Sequence, residues 1–123
     1  MNMLGSAAVL AKMTGPIYEE DGIYKLPLTV SEEHLNFHDT FHGGMQYFYA
    51  LEALSQYMTH KGIAGVGMEG SIHYYRAAKP GDKMVASIYE RKVGRTVGTY
   101  SVEITRGEDL IADTLFTIMF GRK

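Results

Sequence analysis

The sequence predicts an α+β domain in which a curled antiparallel sheet wraps around one long central helix. The chain has 123 residues, enough for one domain with a sizeable core. Only one apolar stretch, residues 45–61, is long enough for a helix of several turns, and most of the chain after it alternates as strands do. Because one helix cannot lie beside so much sheet unless the sheet curls around it, the helix is expected to be the central core element.

The single predicted domain spans residues 1–123, and its first part, residues 1–16, is predicted to be an N-terminal docking segment. The apolar run from Leu4 to Met13 is short and is followed by Gly15-Pro16. A membrane-spanning helix needs roughly 20 apolar residues, and the run lacks the basic start and cleavage pattern of a signal peptide. We therefore expect a short docking helix, no membrane partner and a cytoplasmic protein.

Residues 17–30 alternate as a strand does and are interrupted by the turn signal Asp21-Gly22. Pro27 has no N–H to give to a β-ladder, which predicts an edge position or a bulge there. Ser31 is placed to cap one helical turn formed by residues 32–35. The next segment, up to Phe41, is predicted to be loop.

The long helix is predicted to run from about Gly44 to Lys61 and to end at Gly62, a residue type suited to a helix C-terminus. Helical spacing places five apolar side chains on one stripe and three polar ones on another. The apolar stripe consists of Tyr47, Phe48, Leu51, Leu54 and Met58, and the polar stripe of Glu52, Gln56 and Thr59.

Four strands are predicted after the helix: residues 71–76, 84–92, 97–105 and 110–120. The last three are hairpin neighbours and are therefore expected to pair antiparallel. The glycine-rich run 65–70 has the form of a dinucleotide-binding loop, but it follows a helix and precedes a strand, the reverse of that motif's context. Its glycines are expected to ease the turn into the strand.

Composition excludes several classes of function. The net charge is −2 and the basic residues are scattered, so no nucleic-acid partner is expected. With no cysteine, the chain has no disulfide, no thiolate zinc site and no thiol nucleophile. His34, His38 and His42 recur every fourth residue, but the residues between and after them argue against a continuous helix that would align three imidazoles. We expect no metal and no other cofactor.

His42-Gly43-Gly44, directly before the helix, forms the candidate site. Two glycines let the backbone approach a ligand closely, and the start of a helix directs free N–H groups and a positive dipole end toward whatever binds there. An oxygen with developing negative charge suits such a position.

An ordered set of motifs resembles the hotdog-fold acyl-CoA thioesterases of the phenylacetic-acid-degradation (PaaI-like) type. The resemblance covers roughly Leu28 to Phe120 and implies dimers or tetramers whose sheets join and whose sites lie between subunits. The motifs are Asn36-Phe37-His38-Asp39-Thr40-Phe41-His42-Gly43-Gly44, Ile72-His73-Tyr74-Tyr75-Arg76, Lys79-Pro80-Gly81-Asp82 and Gly94-Arg95.

The resemblance also implies roles for individual residues. Gly43 or Gly44 would offer its N–H to the thioester carbonyl, and Asn36 would orient the water or the attacking carboxylate. His42 would fix the glycine turn. The acyl chain is expected to enter an apolar slot beside the helix, lined by Tyr47, Phe48 and Leu51.

The resemblance implies that three cations, Arg76, Lys79 and Arg95, would lie near the coenzyme A phosphates, although surface solubility explains them equally well.

The sequence departs from the family at the helical carboxylate. Family members carry Asp or Glu nine residues beyond the loop histidine, and this position is Leu51 here. Leucine can neither accept a proton nor attack a carbonyl. Glu52 is adjacent, but one helical step rotates a side chain by about 100°. It could substitute if the helix began one residue differently or contained a bulge; otherwise it is a solvated or interface carboxylate.

Two functions therefore remain open. The favoured one is an acyl-CoA hydrolase in which the carbonyl oxygen meets the Gly44 N–H and Asn36 with Glu52 guides water. The alternative is a protein that binds acyl-CoA or a similar ligand without turning it over, and Leu51 favours this alternative.

Overall fold

In the computed structural model, which describes residues 13–121, one long helix packs against a six-stranded antiparallel sheet. This confirms the predicted α+β architecture. In chain order the elements are β1 (Tyr18–Glu20), β2 (Ile23–Thr29), a 3-10 turn (Glu32–His34), α1 (Gly43–Lys61), β3 (Gly65–Tyr74), β4 (Lys83–Val93), β5 (Val97–Arg106) and β6 (Asp109–Phe120). Across the sheet the order is β1, β2, β4, β5, β6 and β3, so β1 and β3 lie at opposite edges.

The docking helix predicted for Leu4 to Met13 lies outside the described residues apart from Met13, which is buried. Residues 13–121 contain no helix with the length and apolar character needed to cross a bilayer.

Local signals in the sequence correspond to turns and caps in the structure. Asp21 and Gly22 form the β1–β2 turn with φ angles of 54° and 83°, the left-handed region that glycine and aspartate tolerate best. The Ser31 hydroxyl accepts a hydrogen bond from the Glu33 N–H at 3.2 Å. The predicted edge position or bulge at Pro27 is wrong: Pro27 pairs with Val85 of β4 without a register shift, and on its other side the Gly15 N–H donates to the Pro27 carbonyl at 3.1 Å.

The buried face of the helix overlaps the predicted one only in part, since Leu54 and Met58 of the predicted stripe are buried. Its buried side chains include Tyr49, Ala50, Ala53 and Tyr57, whereas three members of the predicted stripe, Tyr47, Phe48 and Leu51, are only half-buried. The predicted stripe was displaced because the helix is apolar on most of its circumference, so hydrophobic periodicity alone does not select one face. Tyr49 is fully buried, and its hydroxyl donates to the Leu26 carbonyl.

Strand β3 begins at Gly65, six residues earlier than predicted, so the glycine-rich run is part of the strand and not a turn before it. Two of its three glycines, Gly65 and Gly70, permit close contacts with other elements. A Cβ on Gly70 would overlap the Tyr47 hydroxyl and lie 2.7 Å from Phe116 Cδ1. The strand has glycine there because a helix side chain and a β6 side chain occupy the space.

Gly70→Ala is therefore expected to destabilise the fold by about 1–3 kcal/mol, because Tyr47 and Phe116 must move to admit a methyl group. Gly67→Ala is the matched control, since a Cβ at Gly67 has no atom within 4 Å. The free energy of unfolding in urea measures both. Equal stability of the two variants would contradict this explanation of the glycine run.

Candidate active site at the start of the helix

A cleft of about 310 Å³ lies at the start of α1. Its walls come from the loop before the helix, from the first helical turn and from the end of β3 together with the residues after it. The residues that matter for its chemistry are Asn36, Phe41, Gly43, Gln46, Tyr74 and Arg76.

Asn36 holds the loop that precedes the helix. Its Oδ1 accepts hydrogen bonds from the backbone N–H groups of His38 at 2.9 Å and Thr40 at 3.1 Å. Its Nδ2 lies 2.9 Å from Thr40 Oγ1. Such side-chain-to-backbone bonds stabilise a tight turn, and Asp39 within it has a φ of 63°. Asn36 thus lines the cleft, but its amide oxygen is already occupied by the loop.

His42 caps the helix and thereby fixes the glycine turn. Its Nδ1 accepts the Gly44 N–H at 2.9 Å, and its own N–H donates to the His34 carbonyl at 2.9 Å. The Gly44 N–H is therefore not free for a ligand, and the expectation that it meets the carbonyl oxygen is wrong. The Gly43 N–H has no partner among the described residues, and Gly43 lines the cleft. Of the two candidate glycines, Gly43 carries the available donor.

Tyr74 packs its ring against this first helical residue. The Tyr74 hydroxyl donates to the Gly43 carbonyl, and a Cβ built on Gly43 would lie 3.1 Å from Tyr74 Cζ. Partial burial raises the pKa of Tyr74 above its ordinary value, which keeps the phenol protonated and able to donate. Strand β3 and the helix start are thus joined at the cleft.

Gln46, which the sequence interpretation missed, is the buried polar residue of the cleft wall. It is 3% exposed; its Nε2 lies 3.4 Å from the Phe41 carbonyl, and its Oε1 has no hydrogen-bond partner within residues 13–121. A signal was available, because Gln46 lies three and seven residues before Tyr49 and Ala53 on the buried face. A helical-face analysis centred on Tyr49 would have placed this amide inside.

The two positions considered for a carboxylate lie away from the cleft. Helix α1 is continuous from Gly43 to Lys61 and begins directly after its His42 cap, so neither the shifted start nor the bulge that Glu52 required is present. Glu52 lies roughly 13 Å along the axis from Gly43, by the helical rise per residue. It is 8% exposed and accepts a hydrogen bond from Gln56 at 2.9 Å, so it is not a solvated carboxylate.

Leu51 lies instead in a second cavity of about 360 Å³ between α1 and the start of β3. Leu54, Met58 and Ile118 line the same cavity. Phe48 and Tyr47 are half-buried against the core, and the Tyr47 ring packs 5.5 Å from that of Phe116. None of these three predicted acyl-pocket residues, Tyr47, Phe48 and Leu51, lines the cleft at the helix start.

The three predicted phosphate-binding cations are only partly brought together. Arg76 is exposed and lines the cleft, and Lys79 is exposed in the turn that follows. Arg95 lies in the β4–β5 turn, at the opposite end of β4, roughly 33 Å from the strand's start by the rise of an extended chain. Within one chain Arg95 therefore does not approach the cleft.

The turn that carries Lys79 is held by a charged hydrogen bond. The Lys79 N–H donates to Asp82 Oδ2 at 2.8 Å, and Arg106 Nη1 also lies 2.8 Å from that oxygen. The backbone N–H of Lys79 and then Arg106 lower the pKa of the Asp82 carboxyl below its ordinary value. The turn is thereby kept in place beside the cleft.

A single helix packed in a curled antiparallel sheet is the architecture of a hotdog-fold domain. The sequence pattern of the Thioesterase superfamily matches residues 38–112, more than half of the chain, and the chain belongs to this family. The predicted resemblance to PaaI-like proteins is confirmed.

Individual relatives agree with this membership. The "Putative esterase" of Deinococcus radiodurans is 38% identical over 85 residues, 69% of this chain and 58% of that protein. The "Acyl-coenzyme A thioesterase PaaI" of Escherichia coli is 29% identical over 85 residues, 69% of this chain and 61% of that protein. The structure of E. coli PaaI, from the phenylacetic acid degradation operon, superposes with a TM-score of 0.81 at 26% identity, over 93% of this chain and 86% of that one. The chain thus spans less than two thirds of the length of the curated relatives it matches.

Proposed function

We propose that this protein is an acyl-CoA thioesterase whose thioester carbonyl oxygen accepts a hydrogen bond from the Gly43 N–H. The observation that supports this most directly is the Gly43 N–H itself, which faces no partner among the described residues and stands at the positive end of a 19-residue helix. A fixed donor of this kind stabilises the oxyanion that forms when the carbonyl is attacked. The E. coli relative named as an acyl-coenzyme A thioesterase supports the same substrate class.

In the proposed reaction, water attacks the carbonyl carbon, a C–O bond forms, and the C–S bond breaks. The products are the carboxylic acid and the thiol of coenzyme A. Arg76, on the cleft wall, and the neighbouring Lys79 are placed to attract the phosphates of the coenzyme. Asn36 maintains the loop that shapes the cleft.

The helix offers no carboxylate at the usual family position, so catalysis would rest on polarisation of the carbonyl and on orientation of the water. Leu51 stands at that position, and Glu52 is engaged by Gln56. Preorganised donors alone retain a substantial part of an enzyme's rate enhancement when the general base is absent. We therefore propose a slow hydrolase, with Glu52 in a structural role.

A second copy of the chain is proposed to complete the site, in a homodimer or homotetramer. Strand β3 is ten residues long and forms an edge of the sheet, with Val66 and Met68 exposed at 64% and 56%. A long edge with exposed apolar side chains is suited to pairing with another strand. Such pairing would also explain Arg95, which could reach a cleft only in another copy. Light scattering on the purified chain tests this, and a monomer at micromolar concentration would contradict it.

The activity is tested by thiol release from a panel of acyl-CoA thioesters of different acyl length and ring content. We expect release above the uncatalysed rate for at least one member of the panel. Coenzyme A binding, measured by calorimetry, is the companion measurement. A protein that binds coenzyme A but leaves every thioester at its uncatalysed rate would contradict hydrolysis and favour ligand binding without turnover.

A further inference from the structure

Gln46 combines almost complete burial with an unused hydrogen-bond acceptor. Within residues 13–121 only two buried side-chain polar atoms lack a partner, Gln46 Oε1 and the Tyr100 hydroxyl. Tyr100 belongs to the core beneath the sheet, whereas Gln46 belongs to the wall of the cleft at the helix start. The Gln46 oxygen is therefore the orphaned acceptor that lies beside the candidate site.

The direction of the Gln46 amide is determined by its surroundings. Its Nε2 faces the Phe41 carbonyl oxygen at 3.4 Å. Rotating the amide by half a turn would bring Oε1 against that oxygen, and two acceptors would then face each other. The Phe41 carbonyl itself is held in place, because the Phe41 backbone N–H donates to Ala78 at 2.7 Å and its side chain is buried. The amide oxygen is thus the end that remains free.

Packing alone does not explain a glutamine at this position. The Nε2 contact with the Phe41 carbonyl accounts for one end of the amide, but Oε1 remains a buried acceptor without a donor, which destabilises a fold. Residues that reduce stability in this way cluster at functional sites. The unpaired oxygen therefore indicates a donor that arrives with the ligand.

The placement of Gln46 relative to Gly43 indicates which donor this is. The two residues are three positions apart on α1, so they lie on the same face of the first helical turn, and both line the cleft. A carbonyl bound by the Gly43 N–H would therefore have its reacting carbon next to the Gln46 side chain. The amide oxygen is neutral, so it can orient an O–H donor but does not remove its proton.

We infer that Gln46 is a positioning residue whose Oε1 accepts a hydrogen bond from the attacking water. This inference rests on the proposed thioesterase function. The oriented water forms the C–O bond, the C–S bond breaks with its electron pair on sulfur, and solvent takes up the proton of the water and protonates the thiolate. A glutamine orients the attacking water in this manner in GTPases. Here it takes over the orienting task that the family's helical carboxylate cannot perform at Leu51.

The test compares the wild type with Gln46→Met, using the acyl-CoA that the wild type hydrolyses fastest. We expect kcat to fall by about tenfold or more, as is typical when a group that orients a reactant is lost. The KM and the calorimetric Kd for coenzyme A are expected to stay within about twofold. The urea midpoint of unfolding is expected to stay close to that of the wild type, because the unpaired Oε1 is removed while the Phe41 carbonyl loses its Gln46 donor. A purely structural role would not combine a lower kcat with an unchanged or higher stability.

Each other outcome contradicts the inference in a recognisable way. An unchanged kcat would make Gln46 a packing residue, and a raised KM with unchanged kcat would assign its oxygen to an amide N–H of the coenzyme. Gln46→Leu is the second variant and decides the matter in the same assay if Gln46→Met fails to fold; loss of the fold in both would show a structural role. A wild type that releases no thiol from any acyl-CoA would overturn the proposed thioesterase function. An active wild type whose kcat is matched by Gln46→Met would overturn only the role inferred for Gln46.

Discussion

Replacing Gly43 with proline is expected to lower kcat for thioester hydrolysis by about 10²–10³, the usual effect of removing one oxyanion-binding donor. Proline lacks the N–H but is well tolerated at the first position of a helix. Gly43 is that position, because His42 is the cap. His42 has φ −59° and ψ 132°, a conformation that the residue before a proline readily adopts. The substitution therefore removes the donor and leaves the helix intact.

Gly43→Ala is the matched control. Both variants add a Cβ, which would lie 3.1 Å from the Tyr74 hydroxyl and ring, but only alanine keeps the N–H. Steady-state thiol release and urea unfolding are measured for both proteins. We expect Gly43→Ala to stay within a few-fold of the wild type and Gly43→Pro to lose activity with little change in KM. Equal kcat values for the two variants would mean that the Gly43 N–H does not bind the oxyanion.

Much of the fold could be predicted because its signals are local. Asp21-Gly22 and Gly62 end their elements with residues that tolerate positive φ, and Ser31 caps the turn that follows it. The order of strands and helix follows from these turn and capping residues together with the alternation of apolar and polar residues in the strands. Because one helix must cover many strands, a sheet that curls around the helix is the arrangement that buries the apolar faces of both.

Other features depend on contacts between residues that are distant in the sequence. Position 70 of strand β3 is glycine because Tyr47 and Phe116 occupy the space that a side chain would need. Local sequence propensities contain no information about this contact. A glycine-rich segment therefore resembles a turn when it is considered alone. The buried face of α1 was uncertain for a related reason: Tyr47 and Leu51 are apolar although the structure buries them only halfway.

The sequence predicts a candidate site at the start of the helix, but it does not indicate which backbone or side-chain atoms would contact a ligand. His42-Gly43-Gly44 marks the helix start, yet the choice between the two glycine N–H groups depends on where the His42 imidazole lies. That imidazole occupies the Gly44 N–H and leaves the Gly43 N–H free. The burial of Gln46 was not predicted because hydrophobic periodicity assigns a polar amide to the exposed face of a helix. Both features depend on side-chain geometry and not on residue type.

The second large effect is expected from Leu51→Asp, which should raise kcat by about 10²–10⁴, the contribution of a positioned general base. Leu51 occupies the position where the family resemblance implies an Asp or Glu. It lines a cavity bounded by the start of β3, the edge proposed to pair with a second copy. In the proposed dimer, an aspartate there would lie at the paired β3 edges and would take the proton from a water in the cleft of the other copy, a water that the present site can only orient. Thiol release from the same acyl-CoA panel measures the gain.

The pH dependence distinguishes a general base from a change in shape. An aspartate accepts a proton only while it is ionised, so the gain from Leu51→Asp should disappear as the pH falls below the pKa of the new carboxyl. Leu51→Asn has nearly the same shape as the aspartate variant but no charge, and it is expected to show no gain in kcat at any pH.

Glu52→Gln should leave kcat close to that of the wild type, since Glu52 accepts a hydrogen bond from Gln56 on another side of the helix. A large loss of kcat in Glu52→Gln, with no gain in Leu51→Asp, would identify Glu52 as the base.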